Sequence, residues 1–276
     1  MQQPEVEALE IRLVLQAIHE RYGYDLRDYA QPSIQRRMRS ALLSSGCDNL
    51  GVLLHRLLTE PDLFARVLDE LTVQVSEVFR DPAFYRAFRE HVVPLLRTYP
   101  LIKIWHAGCA GGEEVHAMAI LLTETGLYSR SQIYATDLSN SALERAKQGM
   151  YPERSLALFE SNYRLSGGTG EFADYYTAGY GRIAFHQALR QNVVFFQHDL
   201  VSDHTLGEMQ VVFCRNVMIY FGQELRRRVV EKFGSALCRG GFLCLGSSER
   251  LQSDSERGVF DRFVPDAAIY RFRGSS

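Results

Sequence analysis

"IWHAGCAGGEEVHAMAILL", residues 104–122, joins a strand-like run to a helical one through a cluster of glycines. Ile104 and Trp105 end a short apolar run of strand character. Gly108, Gly111 and Gly112 then cluster, Glu113 and Glu114 follow at once, and an apolar helical pattern begins. A glycine turn between a strand and a helix lets backbone approach a ligand closely. Two carboxylates at that place disfavour a phosphate, so the ligand has to suit glycines, a helix start and negative charge together.

The runs around it set the architecture. "LIKIWHA", "SQIYATD", "NVVFFQHD" and "MQVVFCRN" are short and rich in β-branched and aromatic residues. Helical stretches such as "NSALERAKQG" and "GQELRRRVVEKFGSAL" lie between or after them. This alternation predicts an α/β fold, a doubly wound parallel sheet covered on both faces. "GGFLCLGSS" supplies a further strand. "AAIYRF" is the last, and it has no room for a crossover helix before it, so it is expected to run antiparallel. The glycine- and tyrosine-rich segment at about 161–191 breaks the alternation. It reads as a small antiparallel β insertion, or else as a long surface loop.

Residues 5 to about 80 read as helix throughout. Ile11, Val14, Ile18 and Tyr22 keep helical spacing, and Pro32 and Gly46 punctuate "PSIQRRMRSALLSSG". The expected organisation is an N-terminal helical domain over 1–82 and a second domain over 83–276 that carries the insertion.

The 276 residues are 46% hydrophobic, enough for a sizeable core. The net charge of −2 makes no global case for nucleic acid. Five scattered cysteines without a C-x-x-C pair read as reduced thiols. "MQQPEVEALE" lacks the character of a signal peptide, and no apolar run nears membrane-spanning length. A soluble cytoplasmic protein, without membrane insertion and monomeric, is expected.

The second strand closes with Asp137, where an acid can accept hydrogen bonds from ribose hydroxyls. A nicotinamide dinucleotide prefers G-x-G-x-x-G and a helix start free for pyrophosphate. Glu113 and Glu114 would repel that group but suit a cation. S-adenosylmethionine carries a sulfonium and an ammonium and no phosphate, so it fits. The alternative for the two acids is simple stabilisation of a helix N-terminus.

"VVFCRNVMIYF", residues 211–221, resembles the fourth-strand motif of the CheR-type methyltransferases, which esterify glutamates on bacterial chemoreceptors. "VSEVFRDPAFY" (75–85), "AGCAGGEE" (107–114), "ATDLSNSALERAKQGMY" (135–151), "HDLVSD" (198–203) and "LGSSERL" (245–251) match in order. The resemblance implies that the doubly wound sheet is Rossmann-like, of the methyltransferase type, and that the chain is a protein-glutamate O-methyltransferase that uses S-adenosylmethionine, yields S-adenosylhomocysteine, and acts on the cytoplasmic domains of methyl-accepting chemotaxis receptors or a related signalling array.

It also implies roles by position. Gln74 and Ser76 stand where the family has an Asn-x-Thr pair that helps hold the cofactor. Arg80 corresponds to the arginine beside the reacting methyl and Tyr220 to a tyrosine near it. Ala107 and Gly108 open the cofactor loop, Glu114 faces the amino-acid part, and Asp137 is the ribose acid. Asp199 and Leu200 replace an Asn-Leu pair on the adenine side, and Arg215 and Asn216 match the fourth-strand contacts. Arg36, Arg37 and Arg39 of "QRRMRS" form the docking surface for an acidic helical receptor segment, or else a solvated helix face. Val115-His116 replaces the usual Pro-Tyr, and Val78 a common Phe. Cys109 and Cys214 read as small buried residues, and His106, His116 and His198 as structural, with no pairing visible. The other readings are methylation of another protein or small acid, and a non-catalytic module that keeps the pocket as a sensor.

Overall fold

A computed structural model describes residues 3–72, 74, 76–251 and 258–274. The chain divides into two compact units. One comprises Met1–Gln74, Asp199–His204 and Ile219–Val229; the other comprises Val75–His198, Thr205–Met218 and Val230–Ser276.

The first unit is helical. α1 (Gln3–Tyr22) packs on α3 (Leu50–Thr59), and α2 (Gln31–Ser45) packs on α4 (Pro61–Leu71). Each helix is built by local signals that the sequence carries. Pro32 sits in the first turn of α2, and Gly46 ends it in the left-handed conformation at φ 66°. The Asn49 side chain caps α3 by accepting from the Val52 amide at 3.0 Å. Ile11, Val14 and Ile18 of α1, Leu53 and Leu57 of α3, and Leu63 and Val67 of α4 are buried. Tyr22 stacks flat on Phe64, with ring centroids 3.7 Å apart.

The second unit opens with α5 (Pro82–Ala87), which runs through a π-helical turn at Phe88–Val92 into α6 (Val93–Leu96). Strands and helices then follow in order: β1 (Ile102–Ala107), α7 (Glu113–Glu124), β2 (Ser131–Asp137), α8 (Asn140–Gln148), β3 (Met150–Pro152), α9 (Leu156–Leu165), β4 (Tyr176–Gly179), β5 (Arg182–Phe185), β6 (Val193–Gln197), β7 (Met209–Cys214), α10 (Gln223–Ala236, whose residues up to Val229 belong to the first unit), β8 (Leu237–Leu245), β9 (Phe260–Val264) and β10 (Ile269–Phe272). The main sheet has the order β6-β2-β1-β7-β8-β10-β9. Its first five strands are parallel, and β10 is antiparallel to both β8 and β9. The fold is thus the doubly wound α/β sheet expected, with "AAIYRF" running antiparallel, as the lack of room for a crossover helix required. β9 is a strand that the sequence reading did not foresee.

Strands covered on both faces carry few polar residues. Every residue of β7 is buried, and Trp105 in β1 is fully so, with its indole N–H donating to Thr136 at 2.9 Å. The strand order reverses between β1 and β7, because β2 lies on one side of β1 and β7 on the other. Ligands of such sheets bind outside the carboxyl ends of the strands at that reversal.

The antiparallel insertion is present as a sheet of order β3-β5-β4. Its first strand, Met150–Pro152, lies before the segment expected at 161–191, and residues 161–165 complete α9 instead. A strand of three residues is too short to show alternation, which is why the pattern placed the start too late. Tyr180 and Gly181, at φ 54° and 72°, join β4 to β5 as a two-residue type I′ turn requires. Glu124 at the end of α7 accepts from Arg89, from Tyr163 and from the Thr169 amide, and so pins α9 and the turn after it to α7.

Candidate cofactor site and family

The glycine loop is a backbone construction. Gly108 N–H and Cys109 N–H both donate to the Thr136 carbonyl at 2.8 Å, which ties the ends of β1 and β2 together. Gly108 has φ 78°, and a β-carbon there would lie 2.6 Å from Val217 Cγ2. A side chain at this position is therefore excluded twice over. Asp137 closes the loop from the next strand. Its Oδ2 accepts from Ala110 N–H at 2.8 Å and its Oδ1 from Ser139 N–H at 3.0 Å. Ala110 is thereby held at φ 47°, a costly conformation for a residue with a β-carbon. Burial pushes the Asp137 carboxyl above the usual aspartate range, and the amide donors only partly offset it. Each carboxylate oxygen keeps acceptor capacity for a ribose hydroxyl.

At the first turn of α7 the two acids differ. Glu114 is the centre of a partly buried ion cluster, in which Arg215 and His106 are buried and Asp81 is about a third exposed. Its Oε1 meets His106 Nδ1 at 3.0 Å, and its Oε2 accepts from Arg215 Nη1 at 2.8 Å. Arg215 also donates to Asp81 Oδ2 at 2.9 Å and to the Arg80 carbonyl at 3.2 Å, and its guanidinium lies 4.2 Å from the centre of the Phe84 ring. Burial alone would raise the Glu114 carboxyl, but His106 and Arg215 outweigh it and hold it below the usual range. Glu114 is therefore ionised and fixed, as a residue that receives an ammonium must be. Glu114 is thus the partner of His106 that was not visible in the sequence. Four non-glycine residues with positive φ, Phe79, Asp81, Ala110 and Asn216, flank this cluster and loop in sequence, and such strain gathers at functional sites.

Glu113 lacks that support. Its Oε2 is buried without a hydrogen-bond partner, and its Oε1 would lie 2.8 Å from a β-carbon on Gly111. Burial pushes its carboxyl up to about 7. An acid raised above its unfolded value loses stability as pH climbs from the unfolded to the folded pKa, here from about 4.5 to about 7. Glu113→Gln is therefore expected to stabilise the ligand-free protein by roughly 1–3 kcal/mol at pH 8 and by almost nothing at pH 4.5. Urea unfolding at the two pH values checks this. An equal gain at both, or a loss at pH 8, would contradict it.

His116 and Tyr151 support the loop from behind. Tyr151 donates its hydroxyl to the Gly111 carbonyl at 2.8 Å, and His116 Nδ1 lies 2.7 Å from the Gly112 carbonyl. A carbonyl can only accept, so the neutral ring carries its proton on Nδ1. Burial pushes His116 down to about 4, so the ring stays neutral at pH 7. Tyr151 belongs to β3, and the His116 ring stacks on Phe185 of β5 at 5.1 Å. The loop is thus anchored to the small sheet, through the histidine that departs from the family's Pro-Tyr.

The remaining expected residues are placed as follows. Ser76 precedes α5, and Ala107 ends β1. In the helical unit the Gln74 side chain donates to Thr72 Oγ1 at 3.1 Å. Asp199 accepts from Val201 N–H at 2.8 Å and from the Ser202 hydroxyl at 3.0 Å, so its carboxylate shapes its own turn, next to the buried Leu200. The Tyr220 carbonyl accepts from Ala30 N–H at 2.8 Å. The three arginines of α2 do different things. The Arg37 guanidinium lies 4.7 Å from the centre of the Tyr220 ring, Arg39 forms a bidentate pair with Glu7 at 2.7 and 2.8 Å, and Arg36 is exposed.

An acid fixed at a glycine loop, with a ribose-competent aspartate on the next strand, fits a cationic nucleoside such as S-adenosylmethionine and disfavours a pyrophosphate. Comparison with known proteins agrees. The all-alpha domain of the CheR methyltransferases matches residues 9–72, and their SAM binding domain matches residues 74–263. Cher3 of Pseudomonas putida is 47% identical over 263 residues, covering 95% of this chain and 96% of its own. Chemotaxis protein methyltransferase 1 of Pseudomonas aeruginosa is 32% identical over 243 residues, covering 84% of this chain and 86% of its own. Chemotaxis protein methyltransferase Cher2 of Pseudomonas putida is 31% identical over 241 residues, covering 83% and 86%. With both domain descriptions matched in order, the chain belongs to the CheR family of S-adenosylmethionine-dependent methyltransferases.

Proposed function

We propose that the chain transfers a methyl group to glutamate side chains on the cytoplasmic domains of methyl-accepting chemotaxis receptors or a related signalling array, working in the cytoplasm as a monomer. The observation that carries this reading is the fixed Glu114–Arg215–Asp81 cluster beside the glycine loop, in a chain whose relatives are chemotaxis methyltransferases. Among the described residues no helix is long and apolar enough to cross a membrane.

Bound S-adenosylmethionine supplies a methyl already activated by its sulfonium. A glutamate carboxylate is ionised at neutral pH, so the transfer needs neither a general base nor a covalent intermediate. The protein's part is to hold, orient and dry the reactants, which supplies up to roughly 7–11 kcal/mol of the barrier reduction. Glu114 and Asp137 are the proposed cofactor acids, Arg80 and Tyr220 the proposed orienting residues for the acceptor. Incubation with methyl-labelled cofactor and a receptor cytoplasmic fragment should give base-labile methyl esters. Label that is stable to base would show a different acceptor chemistry.

The basic helix α2 is the proposed receptor-facing surface, with Arg36 and Arg39 its exposed charges and Arg39 already paired with Glu7. Arg36→Glu should raise the apparent KM for receptor by an amount worth roughly 0.2–1 kcal/mol and flatten its salt dependence, because exposed charges are weak and screened. S-adenosylhomocysteine affinity should not change. Methylation rates against receptor concentration at low and high salt decide it, and superimposed curves would leave α2 a solvated face.

A further inference from the structure

"LGSSERL" is a motif to which the cofactor chemistry gives no task, and it contains a glutamate that is fully buried. Glu249 Oε2 accepts from Gly246 N–H at 2.7 Å and from Asn216 N–H at 2.8 Å. Gly246 directly follows β8 and Asn216 lies two residues beyond β7. These are parallel neighbours whose last paired residues are Cys214 and Leu245. One oxygen thus gathers two amides just past the paired ends of adjacent strands, on the edge of the sheet where the glycine loop lies. Asn216 is held there at φ 60°, and Glu249 N–H closes its own turn on the Gly246 carbonyl at 2.9 Å.

The space is closed as well as bonded. A β-carbon on Gly246 would lie 2.7 Å from Glu249 Oε2, 2.8 Å from Asn216 Nδ2 and 2.9 Å from Asn216 N. The glycine is required so that the carboxylate and the asparagine can share one site. An asparagine tolerates the left-handed conformation better than most residues, but it does not choose it unaided. The carboxylate is what makes that conformation the stable one.

We propose that Glu249 is a positioning residue, which acts through Asn216 by locking its backbone so that the side chain is presented to the cofactor. The proposal rests on the cofactor role of Asn216. It assigns no contact between Glu249 and the ligand.

The test is a double-mutant cycle read as S-adenosylhomocysteine affinity by calorimetry, well below each variant's melting temperature. Asn216→Ala and Glu249→Ala should each weaken binding about tenfold, on the scale of a lost buried hydrogen bond. Glu249→Gln keeps an acceptor oxygen in the same volume and should restore most of the affinity. The double variant should bind no worse than the weaker single, because both changes disable one contact. If Glu249→Ala does not fold, the cycle is run with Glu249→Gln against Asn216→Ala, and a small loss that disappears in the Asn216→Ala background is the expected result. A purely structural Glu249 would lower the melting temperature while its effect on affinity stayed nil or multiplied with that of Asn216→Ala, and either result overturns the proposal. Unchanged affinity in Asn216→Ala alone would remove the cofactor role of Asn216 and the proposal with it. Loss in Asn216→Ala beside wild-type affinity in Glu249→Ala would overturn the positioning role alone.

Discussion

Arg215→Met is expected to cost about 3–5 kcal/mol of folding stability at neutral pH and to bring S-adenosylhomocysteine binding below detection. The arginine is buried, and it is the shared partner of Glu114 and Asp81. Methionine keeps most of the stem volume against Phe84, so the loss reports the guanidinium rather than a cavity. Glu114 would then face only His106 in a site from which water is largely excluded. The effect should depend on pH. Glu114 has a lowered carboxyl, so the stability it contributes is present above the unfolded value near 4.5 and is lost as pH falls through the folded value. Wild type and variant should therefore converge in stability as the pH falls below about 4.5. Denaturant unfolding across that range measures it. A variant as stable as wild type at pH 7, with intact binding, would mean that the cluster is neither structural nor part of the site.

Asp137→Ala is the second large effect. Two backbone amides would lose their acceptor, and any ribose hydroxyls would lose a buried carboxylate. Cofactor affinity should fall by roughly 1–3 kcal/mol, about fivefold to 150-fold. Ala110 is expected to relax from its positive φ, because the bond that holds it there is gone. The stability change should be smaller than for Arg215, since the wild-type carboxylate is itself raised by burial and so costs something at neutral pH. Calorimetry with S-adenosylhomocysteine reads the first effect and thermal melting the second. Unchanged affinity would mean that Asp137 serves only the loop.

Much of this architecture was legible because it is written locally. Pro32, Gly46 and Asn49 mark helix ends wherever they stand, and short apolar runs alternating with helical patterns permit few sheets. The glycine loop was legible for the same reason: a strand end, a turn and a helix start are contiguous. What sequence did not show is what folding brings together from afar. His106 and Glu114 are eight residues apart across a strand, a turn and a helix, a spacing that no single periodicity reveals. Arg37 and Tyr220 come from opposite parts of the chain, so a basic run on α2 gave no hint that one of its members lies over an aromatic ring. β3 is too short to alternate. β9 and β10 are hydrogen-bonded neighbours joined by a few residues, of which only the more apolar one was readable.

The acid fixed at the glycine loop should select a nucleoside that bears an ammonium over a dinucleotide phosphate. Calorimetric titration of the purified chain with S-adenosylhomocysteine and, separately, with NAD measures this. A low-micromolar or tighter complex is expected with the first, on the order of −8 kcal/mol, and no detectable heat with the second. Binding of NAD, with none of S-adenosylhomocysteine, would contradict it.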